Sequence, residues 1–407
     1  MRTQLFAPYY SCRYSASPVA DWLDDFAAWL KTSGYTRTPM RSHIAILRCV
    51  LERRAPVARA TKFSRTDLQS MFVSRKKPDL FRTTQRVFER FLRSQDRWIG
   101  AVSTCRHAAL LENYRSYLRE MRGLSCASVD QHLAVATTFL KSAGPPTRSL
   151  AELSPRDTER YVRSIARRVG RSCLQQRIGN LRSFLRFCEQ RGEVRPQLSA
   201  IDMPRCYRGE RPPRAIAWDL AQRLLESIDR SSPLGARDYA VLYLIAHYGL
   251  RTGEVSSLAV DSIDWKARTL RVAQSKTRSV LMLPLTAAAA RVLKGYLRHG
   301  RPRSERAELF LSSLAPIGPL TTPAIGALFR RRVRQSGLPL SHSSPYGLRH
   351  GFAMRLLEHG VGVKAIGDLL GHRSLESTCV YLRLHVEALR DVALPVPALP
   401  LIGGRPA

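Results

Sequence analysis

The 407-residue chain carries 66 Lys and Arg against 32 Asp and Glu, a formal net charge of +34. A field of that sign attracts a polyanion, nucleic acid first and an anionic membrane surface second. A hydrophobic content of 44% argues against wholesale disorder, and no segment has the apolar length of a bilayer span, so the expected partner is nucleic acid without a membrane.

The N-terminus, MRTQLFAPYYSCRYS, lacks the uninterrupted apolar stretch of a secretion signal, which favours a cytoplasmic protein, nucleoid-associated when bound. Helical spacing then begins. Trp22, Phe26, Trp29 and Leu30 form one apolar stripe, and Leu111, Tyr114, Tyr117 and Leu118 form a later one. The residues after each stripe are alike. Gly34-Tyr35-Thr36 parallels Gly123-Leu124-Ser125, and each glycine is followed nine positions on by a histidine, His43 and His132. Ser64-Arg65-Thr66-Asp67 parallels Ser154-Pro155-Arg156-Asp157, and the runs close on FERFLRSQ at 88–95 and RSFLRFCEQ at 182–190. This order reads as two related four-helix units, about 16–100 and 105–198. Their aromatic stripes are expected in the core, with the arginines of the opposite faces as candidates for contact with DNA.

The segment IDMPRCYRGERPPRA, 201–215, has no periodicity and reads as a linker, spanning 199–215 overall. It either lies extended along a phosphate backbone or serves as a plain solvated connector. Beyond it, helices are expected at about 217–229 and 235–248, and TLRVAQSKTRSVLMLPL, 269–285, reads as a hairpin with Ser275 to Arg278 at its tip. Helices resume near 322, one of them starting at Ser344-Pro345 and ending at Gly360. Residues 393–407, rich in Pro and Gly, read as a flexible or partner-docking tail. The eight cysteines show no C-x-x-C pair and are expected as reduced thiols, several of them in helix cores, rather than a disulfide or metal framework.

Breaking a phosphodiester without a metal requires a nucleophile, cations on the non-bridging oxygens and an acid for the departing oxygen. Arginine suits the second task because its planar fork binds phosphate bidentately and stays charged. The C-terminal half offers an ordered set: Arg251 in HYGLRTGEVSSL, Lys276 at the hairpin tip, Arg349 in SPYGLRHGFAMRLLEHG, His372 in LLGHRS and Tyr381 in ESTCVYLRL.

Here the chain resembles a known family. LRTGEVSSL, YGLRHGFAMRLLEHGV and LLGHRSLESTCVYLRL are similar to the three signature boxes of the tyrosine recombinase (phage integrase) family, down to the nine positions from His372 to Tyr381. The likeness covers about 215–390. It extends more loosely over 105–198, which resembles the family's helical core-binding, SAM-like domain, while residues 1–100 lie outside the usual minimal architecture. The resemblance implies a mainly α protein with a small β-hairpin or sheet, in which helical DNA-binding domains precede a mixed α+β catalytic domain at 216–392. The implied activity is site-specific recombination by an integrase or transposase of a mobile element. Strands exchange through a 3′-phosphotyrosyl link and a Holliday junction, without metal, ATP or other cofactor.

The resemblance also implies roles. Tyr381 attacks the scissile phosphate, Arg251 and Arg349 bind its non-bridging oxygens, Lys276 protonates the leaving 5′ oxygen and His372 donates a hydrogen bond to the phosphate. Glu254, three residues beyond Arg251, is expected to hold that guanidinium. One position departs from the pattern: the second box usually opens with histidine, and here Tyr346 stands in that place. Helical spacing puts Tyr346 on the face of Arg349, where its hydroxyl is expected to bond the phosphate or Tyr381. His350 is expected to point elsewhere in a structural role. The partners implied are double-stranded recombination sites and further copies of the chain, a tetramer of two dimers, with companion recombinases or accessory proteins. The segment 385–395 is expected to dock either on a neighbouring subunit or on its own domain. The alternatives to this reading are a relative that binds DNA without cutting it and a chromosome-dimer resolvase.

Overall fold

A computed structural model describes residues 15–54, 56–58, 60–73, 78–99, 107–144, 149–206, 214–274, 279–313, 315–372, 374 and 376–382. The hairpin tip with Lys276, the segment 385–395 and the tail 393–407 lie outside the described residues. Contacts divide the chain into two compact units, one formed by Pro56–Glu210 and the other by Met1–Ala55 together with Arg211–Ala407. The division falls inside the 1–100 segment.

Helices α1 (Ala20–Thr32) and α2 (Arg37–Glu52) belong to the unit that also holds the C-terminal half. Trp22, Phe26 and Leu30 of α1, and Ile44, Leu47 and Leu51 of α2, are buried at the spacing of one helix face. The turn between them is tied to residues much later in the chain, because the Ile317 N–H donates to the Ser33 carbonyl at 3.2 Å.

The other unit contains α3 (Arg65–Met71), α4 (Pro78–Ser94), α5 (Ala108–Ser116, prolonged by a wider turn through Tyr117–Met121), α6 (Cys126–Ser142), α7 (Pro155–Ala166) and α8 (Arg171–Gln190). The aromatic stripe is core, as expected. Tyr114 is fully buried, with its ring centroid 5.2 Å from that of Phe184, and its hydroxyl lies between His132 Nδ1 at 3.0 Å and Ser183 Oγ at 3.1 Å. The paired serine motifs do the same work. The Ser64 N–H donates to Asp67 Oδ2 at 2.9 Å to start α3, and the Ser154 N–H donates to Asp157 Oδ2 at 3.0 Å to start α7. Of the described cysteines only Cys188 is buried; Cys126, Cys173 and Cys379 are exposed, which corrects the expectation of several core thiols.

The C-terminal half runs α9 (Trp218–Glu226), α10 (Pro233–Tyr248), α11 (Thr252–Ser257), β1 (Ile263–Asp264), β2 (Thr269–Gln274), β3 (Ser279–Pro284), α12 (Ala287–Gly295), α13 (Thr322–Ser336), α14 (Pro345–Glu358), α15 (Val363–Leu370) and α16 (Glu376–Cys379). Helix α10 is apolar on nearly every face and fully buried at Val241, Leu242 and Leu244, so it forms the centre of the packing. The three strands form an antiparallel sheet in the order β1-β2-β3. Its register pairs Leu270 with Leu283 and Gln274 with Ser279, which sets the expected hairpin. Leu270, Val272 and Leu283 face inward and alternate with exposed or half-buried neighbours, the pattern of a half-buried strand. Buried Asp238 of α10 accepts from Arg237 at 2.8 Å and from Arg331 and Arg332 of α13, tying the two helices by charge-assisted bonds. Among the described residues no helix is long and apolar enough to cross a membrane.

Candidate active site

Two helix C-termini build the site. Helix α10 closes on Gly249 and α15 closes on Gly371, both left-handed, with φ of 62° and 60°. A helix end leaves carbonyls without intrahelical partners, and here arginines take them. Arg349, buried on α14, donates from Nη1 to the Gly249 carbonyl at 2.5 Å and from Nη2 to the Leu370 carbonyl at 2.7 Å. Arg251, capping α11, donates from Nη2 to the Gly371 carbonyl at 3.2 Å. Both guanidinium groups are thereby held by main chain whose position the helices fix.

Glu254 is buried and does what the spacing predicts. Its Oε1 accepts from Arg251 Nη1 at 2.6 Å, and its Oε2 accepts the Arg251 N–H at 2.7 Å and lies 3.7 Å from Arg349 Nη1. One carboxylate thus serves two arginines, and a net positive charge remains. The Arg349 guanidinium is pushed down to about 10 by burial and by Arg251, with Glu254 acting in the opposite sense.

His372 follows Gly371. Its Nε2 lies 3.3 Å from Arg349 Nη2 and its Nδ1 lies 2.7 Å from Thr378 Oγ1. A guanidinium only donates, so Nε2 accepts and the ring proton sits on Nδ1, donating to the threonine. Burial, then Arg349 and Arg251, pull this imidazole down to about 4, so it is neutral near pH 7. Thr378 is buried in α16, and no spacing or motif in the sequence singled it out.

Tyr381 lies just past α16 and is buried, its ring nearly parallel to that of His372 with centroids 6.5 Å apart. Burial raises its pKa, while Arg349 and Arg251 act to lower it. Its hydroxyl is bonded to His350 Nδ1 at 2.9 Å. The expectation that His350 points elsewhere is therefore corrected: α14 directs Arg349 and its successor to different parts of one site. Burial, and Arg349 beside it, lower the pKa of His350. Tyr346 is 43% exposed, and among the described residues its hydroxyl has no hydrogen-bond partner. Of the two bonds expected of it, the one to Tyr381 is not made.

The structure thus brings together Arg251, Glu254, Arg349, His372 and Tyr381, with Tyr346 at the margin. Gln274 ends β2 against Gly371, so the stem of the hairpin reaches the site; Lys276 itself lies outside the described residues.

Comparison with known proteins gives a consistent result. Residues 215–388 match the phage integrase family. A protein named as an integrase/recombinase, y4rA of Sinorhizobium fredii (strain NBRC 101917 / NGR234), is 30% identical over 405 residues, which cover 96% of this chain and 98% of that protein. The tyrosine recombinase XerC of Oceanobacillus iheyensis is 28% identical, over 69% of this chain and 93% of its own. Among solved structures, a lambda integrase dimer bound to a COC′ core site superposes with a TM-score of 0.53 at 16% identity, covering 75% of this chain and 87% of that one. The Tn1549 transposon integrase in complex with circular intermediate DNA superposes with a TM-score of 0.51 at 16% identity, covering 67% of this chain and 94% of that one.

Proposed function

Because the chain belongs to the phage integrase family of tyrosine recombinases, and is accordingly a site-specific DNA recombinase, we propose that Tyr381 is the nucleophile of its strand cleavage. The observation that carries this reading is geometric: the Tyr381 ring stacks against His372, whose Nε2 lies 3.3 Å from Arg349 Nη2, and Glu254 contacts both Arg349 and Arg251.

In the proposed reaction Arg251 and Arg349 exchange helix-end carbonyls for the non-bridging oxygens of the scissile phosphate. The Tyr381 oxygen attacks phosphorus, the bond from phosphorus to the 5′ oxygen breaks, and the leaving oxygen takes a proton from Lys276. The 3′-phosphotyrosyl ester keeps the energy of the broken bond, so the free 5′ hydroxyl of a second strand can displace Tyr381 without ATP. His372 donates to a phosphate oxygen, and in this reading the Tyr346 hydroxyl bonds DNA rather than Tyr381, which its exposure supports.

The setting we infer is a mobile element, with four protomers exchanging strands through a Holliday junction. The names of a transposon integrase and of a lambda integrase tetramer bound to a Holliday junction support it. Residues 105–198 take the core-binding role in this reading, and residues 1–100 contact further DNA or a neighbouring protomer. A DNA-binding relative without catalysis is the second reading, favoured by Tyr346 alone.

One assay addresses both. The chain is incubated with a nicked duplex carrying a candidate element end, without metal or ATP, and covalent adduct is read on a denaturing gel. Adduct is expected from the native chain and none from Tyr381→Phe; adduct persisting in the variant would overturn the assignment of the nucleophile.

A further inference from the structure

The Tyr381 nucleophile must lose a proton, and the box position where the resemblance places an imidazole holds a phenol. A neutral phenol is a poor proton acceptor, and among the described residues the Tyr381 hydroxyl is bonded to His350 and not to Tyr346. One turn further along α14, however, stands His350. Tyr346 and His350 lie on one helix face with ring centroids 6.3 Å apart. The His350 ring in turn sits 5.6 Å from the Tyr381 ring, with Nδ1 in hydrogen-bond contact with the hydroxyl at 2.9 Å. Among the described residues it is the only side chain bonded to that hydroxyl.

We propose that His350 is a catalytic residue, the acceptor of the Tyr381 proton during strand cleavage and its donor during rejoining. This rests on Tyr381 being the nucleophile. With its own proton on Nε2, the neutral imidazole offers the Nδ1 lone pair to the phenol. As the Tyr381 oxygen forms its bond to phosphorus, the O–H bond breaks, its electron pair stays on the tyrosine oxygen, and the proton moves to Nδ1. In rejoining, the bond from phosphorus to the tyrosine oxygen breaks, the pair returns to oxygen, and the imidazolium gives the proton back.

The surroundings suit both directions. Among the described residues, the ionisable groups around His350 are Arg349 and Tyr346 on its own helix, His372 beyond α15 and Tyr381 beyond α16. Burial, and then the positive charge of Arg349 beside it, disfavour the imidazolium, which makes it a ready donor once formed. His372 cannot substitute, because its Nε2 faces Arg349 and its Nδ1 faces Thr378.

The test uses the full chain and a nicked duplex bearing the binding site that the native protein selects from random-sequence DNA. Single-turnover adduct formation is followed across pH for the native chain, His350→Asn, His350→Phe and Tyr381→Phe. Asparagine puts an amide oxygen near the place of Nδ1, so it holds the phenol by a hydrogen bond but carries no proton. Both His350 variants should slow adduct formation by about 10²–10⁴-fold, while binding the duplex as the native chain does. Their rates should climb with pH toward the ionisation of the phenol itself. If His350→Asn reacts at the native rate with the native pH profile, His350 only positions the tyrosine and the proposal fails. Adduct from Tyr381→Phe would instead remove the nucleophile on which it rests.

Discussion

Thr378 shows how one hydroxyl conditions the chemistry of its neighbour. In the free protein the His372 proton sits on Nδ1, donating to Thr378, because Nε2 is turned to a guanidinium. To donate to a phosphate from Nε2 the ring must shift its proton, and Nδ1 must then accept. A threonine hydroxyl can rotate from acceptor to donor and so supports both forms. Thr378→Val keeps the shape and removes the bond. Adduct formation is expected to slow about tenfold, the equivalent of one hydrogen bond in a buried site, and Thr378→Ser should restore it. A native rate in the valine variant would show that the ring needs no such support. At this scale the signature boxes were legible because residue type and spacing are linear properties. Thr378 and His350 were not, because a hydroxyl on a short helix and a histidine beside an arginine carry no signal until the chain folds α14 and α16 together.

The decisive elements are helix ends. Gly371 takes φ of 60°, and a Cβ there would lie 2.0 Å from Gln274 Nε2. Gly371→Ala therefore meets both backbone strain, about 1–2 kcal/mol, and a collision with the stem of the hairpin. Because the Gly371 carbonyl holds Arg251 and the next residue is His372, we expect a lower Tm together with slower cleavage, read by thermal melting and by the adduct assay. Loss of stability with cleavage unchanged would separate the turn from the site. Most helices were readable from periodicity and caps: Ser344 and Pro345 do start α14, and the matched Ser64 and Ser154 motifs start α3 and α7. The two-residue β1 was not, since it exists only by pairing with β2.

For the molecule as a whole, charge and buried imidazoles set the response to solution conditions. His43, His132, His247, His350 and His372 are all lowered, burial being the first cause for each. The unfolded chain then binds more protons than the folded one below the ordinary value of 6.5, so the stabilisation they provide is lost as pH falls from there toward about 4, where His247 and His372 titrate. Urea melts should show a declining midpoint through that window, and a flat response would contradict the burial of these rings. The net charge of +34 predicts a second dependence. Duplex affinity should fall linearly on a log–log plot against salt as phosphate contacts release counterions, and an affinity indifferent to salt would exclude that mode of binding.

The sequence by itself determined the helical class, the paired capping motifs, the hairpin and the ordered residues to which we assign the chemistry, because each depends on neighbours within a few positions or on a fixed spacing. The tertiary structure decided which groups meet. It placed helix-end carbonyls against the two arginines, gave Glu254 to both, and set His350 rather than Tyr346 on the Tyr381 hydroxyl. Those contacts join residues from different helices, so they depend on how the elements pack and not on any order along the chain.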